Sequence, residues 1–379
     1  MTVAPGCKLE ETDSWWRNRN MKKILFDMHS LTGGGAERVA TIWAGKFAEL
    51  GHEVTFLLIA REKDEYPVND KVRIEVLSQS VKEYLSVPQL KRLWAKRKRI
   101  QAIDPDIVVS FLPLSQVKMM FILLGVRVKR INCVRINPWI AYRRRFKKLY
   151  MMPFSRADAI IVQTDEQSTF FDEKIRKKCI TVSNPLAKEF LEANCEYRED
   201  VKKLVAAGRF TAQKNYPMMI KAFASAAKDT DTVLEIYGTG SDEYTEKLNA
   251  LITECGCEDK IKLMGRTTDM RSALESADAF IMTSDYEGMP NALAEAMSVG
   301  LPVISTDCKT GPKDMIKNGE NGFLVPVGDE NAAAEAIKKL ISMPRAEREK
   351  VGKAAQADIR ELCNDEKNIK RLAELIENI

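Results

Sequence analysis

Histidine is nearly missing from this chain: His29 and His52 are the two in 379 residues. Eight cysteines are scattered, and the close pair, Cys255 and Cys257, is spaced C-x-C with no second pair and no histidine beside it. A Cys/His metal site needs clustered ligands, so none is expected. Long apolar runs are missing too. The stretch MMFILLGV (119–126) falls far short of the ~18 residues of a membrane span. The first twenty residues, MTVAPGCKLEETDSWWRNRN, hold acids and two tryptophans but no apolar leader core. Residues 1–20 therefore read as a disordered extension, or as a tryptophan-bearing arm for a membrane or partner. With no export signal, the cysteines read as reduced thiols of a cytoplasmic protein.

What is present is ordinary in bulk and uneven in distribution. Hydrophobic residues make up 45% and charged residues 30%, as in soluble globular proteins, and 379 residues suffice for two domains. The net charge of +5 conceals a split. Residues 1–190 carry 34 Lys and Arg against 21 Asp and Glu, a net of +13; the remainder carries 25 against 33, a net of −8. Basic residues crowd 89–100 (QLKRLWAKRKRI) and 143–148 (RRRFKK). Each cluster alone could be a solvated face, but so skewed a half argues for an anionic partner.

Short apolar runs alternate with amphipathic stretches. Strands are expected at 22–28, 52–60, 106–112, 130–136 and 158–164, with a helix over 35–50. The rhythm halts near 182–200 and restarts at 202–208, 232–238, 260–265, 279–284 and 302–306. Buried strands alternating with helices are the pattern of parallel, doubly wound sheets. The expected domains are 21–185 and 186–363, divided near Asn184–Pro185, where proline favours an extended linker. Residues 364–379 form an amphipathic terminal helix.

In open parallel sheets ligands bind outside the carboxyl ends of the strands. After the first strand, Gly33, Gly34 and Gly35 open a helix, either as a tight turn or as a cradle for an anion at the helix N-terminus. After 202–208 come Arg209 and Lys214, two cations suited to a diphosphate or to surface ion pairs. Gly238 and Gly240 follow the next strand and Arg266 the one after, loops that suit the edge of a flat base. After 279–284 comes EGMPNALAE: Glu287 in a loop, Pro290 at a helix start, and Glu295 about one turn further on the face of Asn291. Alone, the two acids read as a cap and an exposed helix acid. Together with the cations and glycines they match a sugar bound to a nucleoside diphosphate. Two D-x-D triplets, Asp104–Asp106 and Asp229–Asp231, lie at the amino ends of strands and read as turn chemistry.

The motifs SLTGGGAERV (30–39), AAGRFTAQKN (206–215), YGTGSDEY (237–244), LMGRTTD (263–269), SDYEGMPNALAEAM (284–297) and TGPKDMIKNGENGFLVPVGD (310–329) make the chain resemble retaining glycosyltransferases of family four, the "group 1" enzymes. The likeness spans about 21–379. It implies an α/β GT-B fold, two Rossmann-like domains facing a cleft, with the terminal helix crossing back to the first domain. It implies that Arg209, Lys214 and Glu287 are catalytic: the cations on the leaving diphosphate, Glu287 on the donor sugar. It implies donor contacts from Gly34, Gly35, Gly238, Gly240, Arg266, Gly288, Met289, Asn291, Ala292 and Glu295, the last on the ribose. No metal and no cofactor beyond the substrate, a UDP-sugar, is implied. One segment departs from many relatives: CVRINPW (133–139) has no histidine where a sugar-facing one is common. It resembles a Ser-x-Arg-Asn-x-Pro variant of polysaccharide-assembly members, so Ser110, Arg135 and Asn137 become acceptor candidates.

No side chain is an evident nucleophile, which favours front-face attack of an acceptor hydroxyl on the anomeric carbon. The basic first half, with Trp94, Trp139 and Tyr142 near its clusters, suggests peripheral docking on an anionic membrane and a polyprenyl-diphosphate-linked glycan acceptor, with Arg143 and Arg144 among the contacts. The alternatives are a soluble acceptor, a nucleotide-sugar epimerase or glycosyl phosphorylase, and a non-catalytic partner subunit. A nucleic-acid partner is not expected.

Overall fold

The computed structural model describes residues 20–142 and 147–379. Its described strands form two parallel sheets. The first has β1 (Lys23–Asp27), β2 (Glu53–Leu58), β3 (Arg73–Val76), β4 (Ile107–Ser110), β5 (Lys129–Cys133), β6 (Ala159–Val162) and β7 (Cys179–Thr181), in the order β3-β2-β1-β4-β5-β6-β7. The second has β8 (Lys203–Ala207), β9 (Val233–Tyr237), β10 (Ile261–Gly265), β11 (Ala279–Met282), β12 (Val303–Thr306) and β13 (Phe323–Val325), in the order β10-β9-β8-β11-β12-β13. Both sheets reverse direction of growth beside their first strand, at β1/β4 and β8/β11. That reversal opens a crevice at the carboxyl edge.

Central strands are apolar because helices cover both faces. β4, β6, β11 and β12 are buried at every residue. β3, β7 and β13 had no counterpart in the sequence pattern. All three are short edge strands, with partly exposed residues and only three or four positions in which to show a period.

The helix Asp365–Asn378 belongs to the first domain's core. Its Ile369, Leu372, Leu375 and Ile376 pack among Phe26, Trp43, Phe47 and Phe56. The preceding helix, Arg345–Leu362, packs instead on the second domain, contributing Ala355 and Ile359 to the cluster around Phe280 and Leu293. Asn364 separates them and caps the last helix by accepting from Lys367 N at 3.0 Å. Arg371 then donates to the Thr181 carbonyl at 3.2 Å, pinning this crossing segment to the end of β7.

Candidate active site

The carboxyl edge of the second sheet gathers Arg209, Lys214, Glu287 and the start of the helix that carries Glu295. β8 runs into Gly208 and Arg209, and a 3-10 turn, Ala212–Lys214, follows. Asn215, in the left-handed region at φ 45°, caps the helix Tyr216–Ala226. This sharp turn points Lys214 back over the sheet. Its Nζ lies 2.7 Å from Glu287 Oε1, and both side chains are mostly buried. The Glu287 loop is held further by Gln213, whose Nε2 donates to the Tyr286 carbonyl at 2.8 Å, and by Thr310 Oγ1, which donates to the Glu287 carbonyl at 2.5 Å. Arg209 stays exposed. Burial raises the pKa of Glu37, and the charge of Arg209 opposes that rise, so the two sit within electrostatic reach across the cleft.

The helix Asn291–Val299 starts after Pro290 with no side-chain cap. Its first-turn N–H groups are therefore free of an internal side-chain acceptor, the condition for receiving an anion. Glu295 lies one turn in and is 5% exposed. Its carboxylate accepts from Nη1 of Arg38, a residue of the first domain. Burial raises the Glu295 pKa, while the attraction and hydrogen bond of Arg38 work against the rise. Sequence reasoning assigned Arg38 no role. Its signal was its place in the first turn of the helix that the three glycines open.

Glycines set how closely the two domains meet. A Cβ on Gly35 would sit 3.0 Å from Asn291 Nδ2. One on Gly288 would sit 2.4 Å from Gln163 Oε1 and 2.9 Å from the Arg135 carbonyl, so no larger residue fits that seam. Gly34 precedes its helix with φ −122°, and a Cβ there would strike the Glu37 carboxylate. Gly238 and Gly240 let two loops close on each other, with Gly240 still exposed. Their Cβ atoms would collide with the carbonyls of Gly208 and Phe210, at 1.9 and 2.4 Å. Phe210 N donates to the Thr239 carbonyl at 2.8 Å across the same contact.

Asn184, read from sequence only as a linker residue, is the node of the seam. Its Nδ2 donates to the Met289 carbonyl at 3.0 Å and to Asn291 Oδ1 at 2.6 Å. Its Oδ1 accepts from Gln163 Nε2 at 2.9 Å and from Arg135 Nη2. Met289 is buried beside it, with Sδ 3.3 Å from Asn184 N.

The acceptor candidates fare differently. Arg135 lies inside this seam, with its guanidinium 5.1 Å from the centre of the Trp43 ring and 6.0 Å from that of Phe111. Burial pushes its pKa down to about 10, and its Nε and Nη1 have no hydrogen-bond partner. Asn137 is buried and accepts from Trp139 N at 3.0 Å, capping the turn Pro138–Ala141. Ser110 is buried in a small space between β4, β5 and the helix Pro113–Ile122, behind the sheet. Ser110 and Asn137 are thus buried, while Arg135 is half-buried with two of its three guanidinium nitrogens unpartnered. Arg143 and Arg144 lie outside the described residues. Ala292 is half-buried near the helix start, and Arg266 lies on the rim, its Nη1 3.5 Å from Asp64 Oδ2 of the first domain. A cavity of about 820 Å³ opens on the linker side, lined by Thr181, Ser183, Lys313, Asp358 and Arg371, and none of the expected site residues borders it.

Two Rossmann-like domains with a cation pair, two acids and a helix N-terminus on the second sheet's edge define a GT-B protein. Residues 188–358 match the family described as glycosyl transferases group 1. An uncharacterized glycosyltransferase of Methanocaldococcus jannaschii is 30% identical over 276 residues, covering 65% of this chain and 67% of that protein. A Campylobacter jejuni N-acetylgalactosamine-N,N'-diacetylbacillosaminyl-diphospho-undecaprenol 4-alpha-N-acetylgalactosaminyltransferase is 26% identical over 341 residues, covering 85% and 90%. Among solved structures, Anabaena HepE in complex with UDP and glucose superposes with a TM-score of 0.78 at 17% identity, over 94% of this chain and 100% of that one. The chain belongs to the group 1 glycosyl transferases and is a glycosyltransferase.

Proposed function

We propose that the protein moves a hexose or N-acetylhexosamine from a UDP-sugar, with retention, onto a hydroxyl of a polyprenyl-diphosphate-linked glycan during cell-surface polysaccharide assembly. The observation that carries the donor half is the Lys214–Glu287 pair at 2.7 Å, beside exposed Arg209 and the uncapped start of helix Asn291–Val299. In this reading Glu287 takes the sugar hydroxyls, while Arg209, Lys214 and the helix N–H groups take the diphosphate. Stabilising charge as it develops on the leaving nucleotide is the largest catalytic effect open to such a site. In this reading the two cations perform that task without a divalent metal. The acceptor hydroxyl attacks from the leaving-group face, and the donor phosphate takes its proton.

The acceptor half rests on the basic first half of the chain and on the Campylobacter relative, whose name specifies a diphospho-undecaprenol substrate. The test is transfer from a panel of UDP-sugars to a lipid-linked acceptor, with and without chelator, and NMR of the product. An α-linked product from an α-linked donor, insensitive to chelator, is the expected result. An inverted anomeric centre, or a covalent sugar trapped on Glu287, would overturn the front-face mechanism.

A further inference from the structure

The helices Val81–Ser86 and Gln89–Ile103 of the first domain form a hairpin with an unusual outer face. Leu85, Leu90 and Trp94 are 59%, 80% and 60% exposed, with Val87 at the turn between them also exposed. Leu90, Trp94 and Lys98 follow at intervals of four, so they share one helical face. Lys98 Nζ sits 4.0 Å from the centre of the Trp94 ring. Phe121 and Leu124 are exposed beside this face, and Arg97 ties them to it by donating to the Ile122 and Leu124 carbonyls.

The charge is one-sided. Residues 77–103 contain seven Lys and Arg and a single acid, Glu83. That acid is spent on local turns, accepting from Ser78 Oγ at 2.6 Å and Gln79 N at 2.9 Å. The structure also divides the basic cluster that the sequence presents as one solvated run. Lys96 is buried and paired with Asp27, and Arg99 pairs with Glu75 at 3.2 Å. Lys82, Lys91 and Lys98 remain outward.

We propose that this hairpin face docks on an anionic lipid bilayer, with Leu85, Leu90 and Trp94 entering the headgroup boundary and Lys82, Lys91 and Lys98 against the phosphates. The proposal deepens the reading of a lipid-linked acceptor and rests on it. Apolar tips ringed by lysine, with a tryptophan among them, match the chemistry of an interfacial helix. A second copy of the chain does not, since two such faces would set lysines against lysines. The buried side of the same helix reaches the cleft: Lys96 holds Asp27, at the carboxyl end of β1, which leads directly to Gly33–Gly35. A helix is about 10 Å thick. The docked face therefore brings the bilayer surface about one helix diameter from the cleft edge, within reach of a membrane-embedded acceptor. Among the described residues no helix is long and apolar enough to cross a membrane, so contact through this face is interfacial.

The test is co-sedimentation of the full chain with vesicles of phosphatidylglycerol and phosphatidylethanolamine, against vesicles of phosphatidylcholine alone. Binding to the anionic vesicles, weakened by salt, is expected. Leu90→Glu with Trp94→Glu, and separately Lys91→Glu with Lys98→Glu, should each reduce it at least about tenfold, while hydrolysis of UDP-sugar in solution is unchanged. Wild-type binding that these variants leave intact overturns the proposal, as does no binding to anionic vesicles, or a dimer in light scattering that Trp94→Glu dissolves. The acceptor reading is judged separately, by transfer to lipid-linked acceptor in detergent. Its failure there with vesicle binding intact removes the acceptor and leaves the docking face.

Discussion

Arg38 of the first domain donates to the carboxylate of Glu295 in the second, one turn into the helix that starts at Asn291. The two residues are 257 positions apart in sequence. The carboxylate expected to receive a ribose is thus already paired across the cleft. A ribose that takes Glu295 must displace or share this guanidinium.

Breaking it should be costly in a pH-dependent way. Arg38→Ala leaves a buried, unpaired carboxylate, at a cost of about 3–5 kcal/mol in chemical denaturation. Burial already raises the Glu295 pKa, and losing Arg38 removes the main opposing influence. A carboxyl raised on folding favours its protonated form. The Glu295 contribution to the variant's stability should therefore be greatest below the ordinary value of 4.5 and be lost as pH climbs through the raised value. Adding Glu295→Gln should flatten that slope in Tm measured against pH.

Arg209 and Lys214 should separate under mutation. Arg209 is exposed, so Arg209→Ala should lower kcat/KM about 10²–10³-fold with Tm nearly unchanged. Lys214→Ala unpairs Glu287 and should lower both activity and Tm. Equal Tm losses for the two variants would contradict the assignment of Arg209 to the substrate alone.

Gly288→Ala tests the seam. The added methyl meets Gln163 Oε1 and the Arg135 backbone, and backbone has little room to give. A stability loss of about 1–3 kcal/mol is expected, with a raised KM for the donor because the loop that carries Glu287 shifts. Unchanged kinetics and Tm would show that the domains do not meet at Gly288.

Asn184→Ala removes four hydrogen bonds and deprives Arg135 of its acceptor. Leaving buried donors unsatisfied should cost about 1–3 kcal/mol, and the donor KM should rise more than kcat falls, since Asn184 positions Met289 and Asn291 without touching reacting atoms.

Deleting 364–379 strips Ile369, Leu372, Leu375 and Ile376 from the first domain's core. At about 1.5–3 kcal/mol for each buried side chain, the truncated chain should lose cooperative unfolding and bind ANS.

The central strands were legible because burial on both faces writes them as unbroken apolar runs. The edge strands β3, β7 and β13 were not, since segments of three or four residues carry no distinct period. The donor motifs were legible for a related reason: Arg209, Lys214, Glu287 and Glu295 each follow a readable strand at the same sheet edge. Ser110, Arg135 and Asn137 are acceptor candidates by the resemblance of CVRINPW to a polysaccharide-assembly variant, and a resemblance carries residue types without side-chain directions. The strands end at Ser110 and Cys133; beyond them Asn137 caps a turn and Arg135 is held by one nitrogen to Asn184 in the seam.

By itself the sequence determined two parallel α/β units, their shared ligand edge, the residue types placed there and the sign of charge on each half. These follow from local periodicity and composition, which a linear chain records directly. Tertiary structure alone decided that Arg38 meets Glu295, that Asn184 joins linker to donor loop, that Lys96 turns inward to Asp27, and that Leu90 and Trp94 stay outside. Each depends on how two separately folded sheets and their helices pack in space, and no spacing along the chain encodes that distance.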